Sequence, residues 1–310
     1  MITFKDYFEI LEELRKDNHL TVSELCHGIV SERTYYRYLN SNLEIKFNIY
    51  SKLVDRLGIE FEQILIYSIH FKKSDPSIIK FVYRVHVNHF TDIKPLYDIV
   101  LQHEPSDTSF GHVVKAMLYK YEFLIGTLDQ KAYQIKLEDL IGMVLNDENL
   151  DIYKATLLTI YLETNPQNEL IDIKRLYAFL LNNDFRMSPL FSVMAVDTFL
   201  ITNLRSNLIN HEEFKTLAMR FKEHLYFFGL KSFKMNLVLY LAYTYKMDHH
   251  TELMNQYLMK YVMNLSILHG KKYYDQHVKL VESLFEIDIT SFIPKQLNLL
   301  FESKQLKLKT

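Results

Sequence analysis

Residues Ser31, Glu32, Arg33, Thr34, Tyr35, Tyr36, Arg37 and Tyr38 follow one another. Their chemistry is recognition by hydrogen bonds and charge. If Ser31 caps a helix, its hydroxyl accepts from a first-turn N–H, and the helical period sorts the rest into two faces. Tyr35 and Tyr38 then turn inward with Leu25, which leaves Ser31, Glu32, Arg33, Thr34, Tyr36 and Arg37 as the outward set. An arginine fork pairs bidentately with guanine, and Thr or Tyr hydroxyls reach bases or phosphates. Glu32 would accept from cytosine or repel phosphate. Ser31 and the helix N-terminus suit a phosphate contact. The bland alternative is a solvated helix of a sensor domain.

A second group of polar residues lies far along the chain. Asn203, Asn236 and Asn264 sit inside apolar helical stretches, where an unpaired amide is costly. Arg84 and Asn88 are one helical turn apart and can share a face. Amides pair with the backbone of an extended peptide, so these five residues are the candidate peptide contacts. Bonds to neighbouring helix ends or to water are the plainer account of any single one of them.

Other chemistries find less support. His86 and His89 are three apart, and His249 adjoins His250, but no HExxH or carboxylate cluster accompanies them, so no metal site is expected. No P-loop, GxGxxG or GxSxG occurs, and neither an enzyme nor a cofactor is expected. Cys26 is the single cysteine, so no intramolecular disulfide or thiolate cluster can form. It stands at a small apolar position that suits packing.

These residues need a helical frame. Glycine (7) and proline (6) are scarce in 310 residues, and 48% of the chain is hydrophobic, which predicts an all-α fold with short polar loops. Phe4, Tyr7, Phe8, Leu11 and Leu14 mark a first helix over 3–17. A short helix from Thr21 or Val22 to Cys26 or His27, a bend at Gly28 and a helix from Ser31 to about Asn40 have helix-turn-helix spacing. Helices near 47–57 and 61–69 complete a head over 1–70. Lys72 to Pro76 suits a linker, placed at 71–76. Helical segments recur from 77 to 303, and 304–310 is a basic tail. Two helices with their loops take up about 40 residues, close to the period of helix-hairpin repeats such as TPR. The full TPR consensus is absent, so a degenerate repeat is expected, with an irregular helical domain as the alternative.

Net charge is −2, and within the first 70 residues acidic groups outnumber Lys and Arg. DNA affinity would therefore come from a few well-placed cations. The N-terminus does not resemble a signal peptide, and no apolar run approaches the roughly 18 residues that span a bilayer. A reducing cytoplasm is expected.

The stretch Leu25-Cys-His-Gly-Ile-Val-Ser-Glu-Arg-Thr-Tyr-Tyr-Arg-Tyr38, followed by Lys52-Leu-Val-Asp-Arg-Leu-Gly-Ile-Glu-Phe-Glu-Gln-Ile-Leu65, resembles the Rgg/PlcR/PrgX (RRNPP) regulators of Gram-positive bacteria. The motifs cover the first 70 residues, and beyond them the likeness is architectural. The resemblance implies a cytoplasmic, homodimeric transcription regulator of the quorum-sensing type. Its helix-turn-helix head would bind operator DNA, and its TPR-like body a short peptide pheromone. Val22 stands where many such domains carry Gln, and Leu39 where many carry Glu. Those departures and the acidic head fit the alternative of a helical-repeat adaptor whose head does not bind DNA.

Overall fold

The computed structural model describes residues 8, 11, 12, 15, 16, 20–41, 43, 45–57, 76–87, 93–103, 105–145, 149–185, 188–228, 233–268 and 271–296. Every regular element among them is an α-helix. The expected helix at 61–69, nearly all of the expected linker at 71–76, Asn88, His89 and the basic tail lie outside the described residues.

In the head, Phe8, Leu11, Glu12, Arg15 and Lys16 are helical. Helices α1 (Val22–Cys26), α2 (Glu32–Asn40) and α3 (Phe47–Arg56) follow. Local residues set the ends of the first two. Thr21 and Glu24 form a capping box: the Thr21 hydroxyl accepts from Glu24 N–H at 3.2 Å, and Thr21 N–H donates to the Glu24 carboxylate at 2.7 Å. Gly28 turns the chain at φ +70°, a left-handed conformation that a side chain would strain. Ser31 then caps α2 by accepting from Thr34 N–H at 3.1 Å. Leu25 and Cys26 of α1, Tyr35 of α2, and Leu53 and Val54 of α3 are buried together with Phe8 and Leu11.

The body comprises α4 (Pro76–His86), α5 (Lys94–Gln102), α6 (Ser109–Leu124), α7 (Gln130–Leu145), α8 (Ile152–Thr164), α9 (Ile173–Asn182), α10 (Pro189–Ser206), α11 (His211–Phe228), α12 (Lys234–Met247), α13 (Thr251–Leu268) and α14 (Lys271–Phe285). Each even-numbered helix packs on the next even-numbered one, and α7, α9, α11 and α13 each bridge the two beside them. This is a two-layered stack of helical hairpins, in which each hairpin hides its apolar stripe on its neighbours. Helix α10 is buried from Pro189 to Leu204, and α8 from Ala155 to Leu162. A helix apolar all round must lie inside, and these two form the centre of the stack. Asn207 ends α10 at φ +51°, where Asn tolerates the left-handed region. Among the described residues, no helix is long and apolar enough to cross a membrane.

Candidate nucleic-acid interface

Helix α2 presents two unlike faces. Tyr35 is completely buried, and its ring packs 5.1 Å from Phe8. Tyr38 is half-buried, with its ring 5.5 Å from Phe8. Opposite them, Ser31, Glu32, Arg33, Tyr36 and Arg37 are exposed, while Thr34 is half-buried. Arg33, Tyr36, Arg37 and Asn40 recur at helical spacing and line one open hollow, which Ser41 and Leu43 complete. Among the described residues, no hydrogen bond or ion pair occupies the Arg33 or Arg37 side chain. Thr34 differs from its neighbours because its hydroxyl lies 2.8 Å from Ser31 Oγ and belongs to the cap.

The buried face is anchored by charges. Tyr35 donates its phenolic hydrogen to Glu12 Oε2 at 2.7 Å. Arg15 grips the same carboxylate with both arms, Nε to Oε2 at 2.8 Å and Nη2 to Oε1 at 2.7 Å. Arg15 Nη1 also donates to the Leu20 carbonyl just before α1. Bonding to Arg15 holds the Glu12 carboxyl below its ordinary range, with Tyr35 and Lys16 adding to the effect against desolvation. Burial, and then the hydrogen bond to Glu12, push the Tyr35 hydroxyl far above its ordinary range. The phenol thus stays a neutral donor, which this bond requires.

A second brace holds α1. Arg56 at the end of α3 donates to the Glu24 carbonyl at 3.2 Å and to the His27 carbonyl. It thereby satisfies carbonyls that the end of a short helix leaves open. Nothing in the sequence assigned a role to Glu12 or Arg15, and Arg56 stood out only as part of the stretch from Lys52 to Leu65 that carries the family resemblance. The legible trace was that Glu12 and Arg15 share a helical face with Phe8 and Leu11, where solvent-seeking residues are unexpected. Val22 and Leu39 are half-buried and pack against the head core, so each works as an apolar contact. Burial raises the Cys26 thiol to about 11, which keeps it protonated and inert.

The expected peptide contacts in the body occupy separate settings. Arg84 is half-buried on α4, and Asn264 is exposed on α13. Asn203 is buried, and its Oδ1 accepts from Ile209 N–H at 2.8 Å, holding the turn after α10. Asn236 donates its amide to both oxygens of Asp197, at 3.2 and 3.0 Å. Asp197 is buried in α10 and also accepts from the Tyr240 hydroxyl at 2.8 Å, while His86 Nε2 lies 3.4 Å from it. The hydrogen bonds of this buried cluster tie α12 to α10, and His86 of α4 lies against it. Asn236 is the one sequence candidate within it.

Among the described residues, His211, Glu212 and Asp248 bring possible ligand atoms within 4.8 Å of one another. Lys215 already occupies Asp248 at 2.7 Å, and His211 approaches it at 3.1 Å. The group reads as a polar tie between α11 and the end of α12.

No protein-family model matches the sequence, and no curated protein does. Solved structures do resemble it in fold. The apo form of the competence regulator ComR from Streptococcus vestibularis is 12% identical, with 91% of this chain and 99% of that one covered at a TM-score of 0.45. ComR from S. thermophilus, in complex with DNA and its signalling peptide ComS, is 12% identical over 87% of this chain and 96% of that one, at 0.46. PlcR from Bacillus thuringiensis, in complex with the peptide PapR7 and DNA, is 12% identical over 95% and 99%, at 0.37. With scores below 0.5 these likenesses decide nothing about function. The side chains of the head must do so.

Proposed function

We propose that this chain is a peptide-responsive, DNA-binding transcription regulator of the Rgg/PlcR/PrgX kind. The head, residues 1–70, inserts α2 into the major groove of operator DNA. A linker at 71–76 joins it to a body over 77–303 that holds a short signalling peptide and a second copy of the chain, followed by the tail at 304–310. One observation carries the DNA reading. Arg33, Tyr36 and Arg37 stand exposed on one face of a side-chain-capped helix, while the opposite face is fixed through Tyr35 to Glu12 and Arg15. Two cations with no partner among the described residues, on a helix anchored at its other face, suit phosphate and guanine contacts. They also meet the need, in an acidic head, for charge concentrated in one place. Peptide control would follow if the ligand favours one arrangement of the two heads over another. The protein works in the cytoplasm and is not an enzyme.

The test is selection of duplex sites by the full-length protein, followed by titration at several salt concentrations. Each phosphate neutralised steepens the dependence of log affinity on log salt by about 0.9. Changing Arg33 and Arg37 together to Ala should weaken binding at least tenfold and flatten that dependence by about 2 per head. Unchanged affinity and slope would reject α2 as the reading helix. Salt-insensitive capture of another protein would favour the adaptor reading.

A further inference from the structure

We infer that Tyr36 and Leu43 make an apolar reader of thymine methyl groups in the hollow that they share with Arg33 and Arg37. The inference rests on the DNA reading above and adds a sequence preference to it. Tyr36 is 45% exposed and Leu43 is 44% exposed, and they are the large apolar side chains left in solvent among the described residues of the head. Both line the hollow that Arg33, Arg37, Asn40 and Ser41 complete. Exposed single apolar residues are ordinary. Two of them on the same hollow as Arg33 and Arg37, neither of which has a partner among the described residues, are a feature of that surface.

The hollow has the properties of a thymine contact. In the major groove, thymine differs from cytosine by its C5-methyl group, which apolar side chains recognise by burial. A duplex approaching α2 places phosphates on both sides of the base edges, so cations should flank an apolar centre. Arg33 and Arg37, one helical turn apart, line the same hollow as Tyr36 and Leu43, so cations and apolar groups face a ligand together. The reader is also held in position. The Tyr36 ring meets the buried Tyr35 ring edge-on at 6.0 Å, and Tyr35 is fixed to Glu12. At the other end, the Ser41 hydroxyl and N–H both bond to the Arg37 carbonyl, which closes α2 and fixes the start of the segment that carries Leu43. A positioned ring loses little freedom on binding, so most of the methyl burial appears as affinity.

The experiment replaces thymine with deoxyuridine, which removes only the methyl group. Full-length protein first selects its preferred duplex from a random pool. Each thymine of that duplex is then replaced singly by deoxyuridine, and affinity is measured by fluorescence anisotropy. One buried methyl contributes about fourfold in affinity. The wild type should therefore bind about fourfold more weakly at one or two positions. Tyr36→Ala or Leu43→Ala should abolish the difference at its own position, and Tyr36→Phe should keep it. Circular dichroism of each variant confirms folding, and both side chains are exposed enough to be replaced safely. A preferred duplex bound equally with thymine and deoxyuridine overturns this inference and leaves the DNA reading standing. So does methyl sensitivity that survives in both Ala variants. Failure to bind any duplex removes both readings.

Discussion

Replacing Tyr35 with Phe should loosen α2 without altering any atom of its exposed face. The change deletes one hydroxyl from a completely buried side chain and leaves the ring packing on Phe8. It costs the 2.7 Å bond to Glu12. A hydrogen bond to a charged group contributes about 1.5–3 kcal/mol. Glu12 keeps both Arg15 bonds, so its carboxylate is not orphaned and the low end applies, about 1.5 kcal/mol. Amide hydrogen exchange in the full chain reads this locally. The α2 amides should exchange about twelvefold faster, since 1.4 kcal/mol is tenfold, while those of α8 and α10 should not change. Tyr38→Phe is the control, because that hydroxyl makes no hydrogen bond among the described residues. Equal exchange in the two variants would refute the bracing role of the Glu12–Arg15–Tyr35 network. The same network limits the head's pH range. Folding lowers the Glu12 carboxyl from 4.5, chiefly through Arg15. Below pH 4.5 the unfolded head therefore binds more protons, and the stabilisation present above that pH fades as pH falls through the folded value. Tyr35 acts at the other end: its raised hydroxyl means that the folded head holds its proton longer, so stability falls as pH rises above 10.

Two further outcomes concern the body. A Cβ at Gly111 would lie 1.9 Å from the Ser106 carbonyl oxygen, whereas one at Gly142 would meet nothing within 4 Å. Gly111→Ala should thus destabilise by about 3 kcal/mol, and Gly142→Ala should stabilise by about 0.5–1 kcal/mol; thermal melts of the same sign would sink this account. Asp197→Ala strips the acceptor from Asn236 and one acceptor from Tyr240 inside the body. It should cost about 3 kcal/mol, or roughly 6–12 °C in melting temperature for a domain of this size. An unchanged melt would mean that the cluster does not fasten α12 to α10.

The helix-turn-helix could be read from the sequence because its determinants are neighbours in the chain. Gly28 and the Ser31 cap each act within three or four residues, and α1 and α2 begin and end within a residue of their expected ends. The outward set on α2 followed from the helical period, with Thr34 the exception because its hydroxyl turns back to Ser31. The bracing was not legible. Glu12 reaches Tyr35 across 23 positions, and Arg56 reaches His27 across 29. In the body, periodicity located most helices but could not say which polar residue serves which neighbour. Asn203 and Asn236 look alike in sequence, yet one holds a turn and the other holds a buried carboxylate.

Local backbone preference and apolar period are properties of adjacent residues, and they determined this protein's helices, the Ser31 cap of α2 and the face that α2 turns outward. Which charges meet in the interior depends on chain segments that are distant in sequence. Only packing in three dimensions brings Glu12 under Tyr35 and Asp197 between His86 and Asn236.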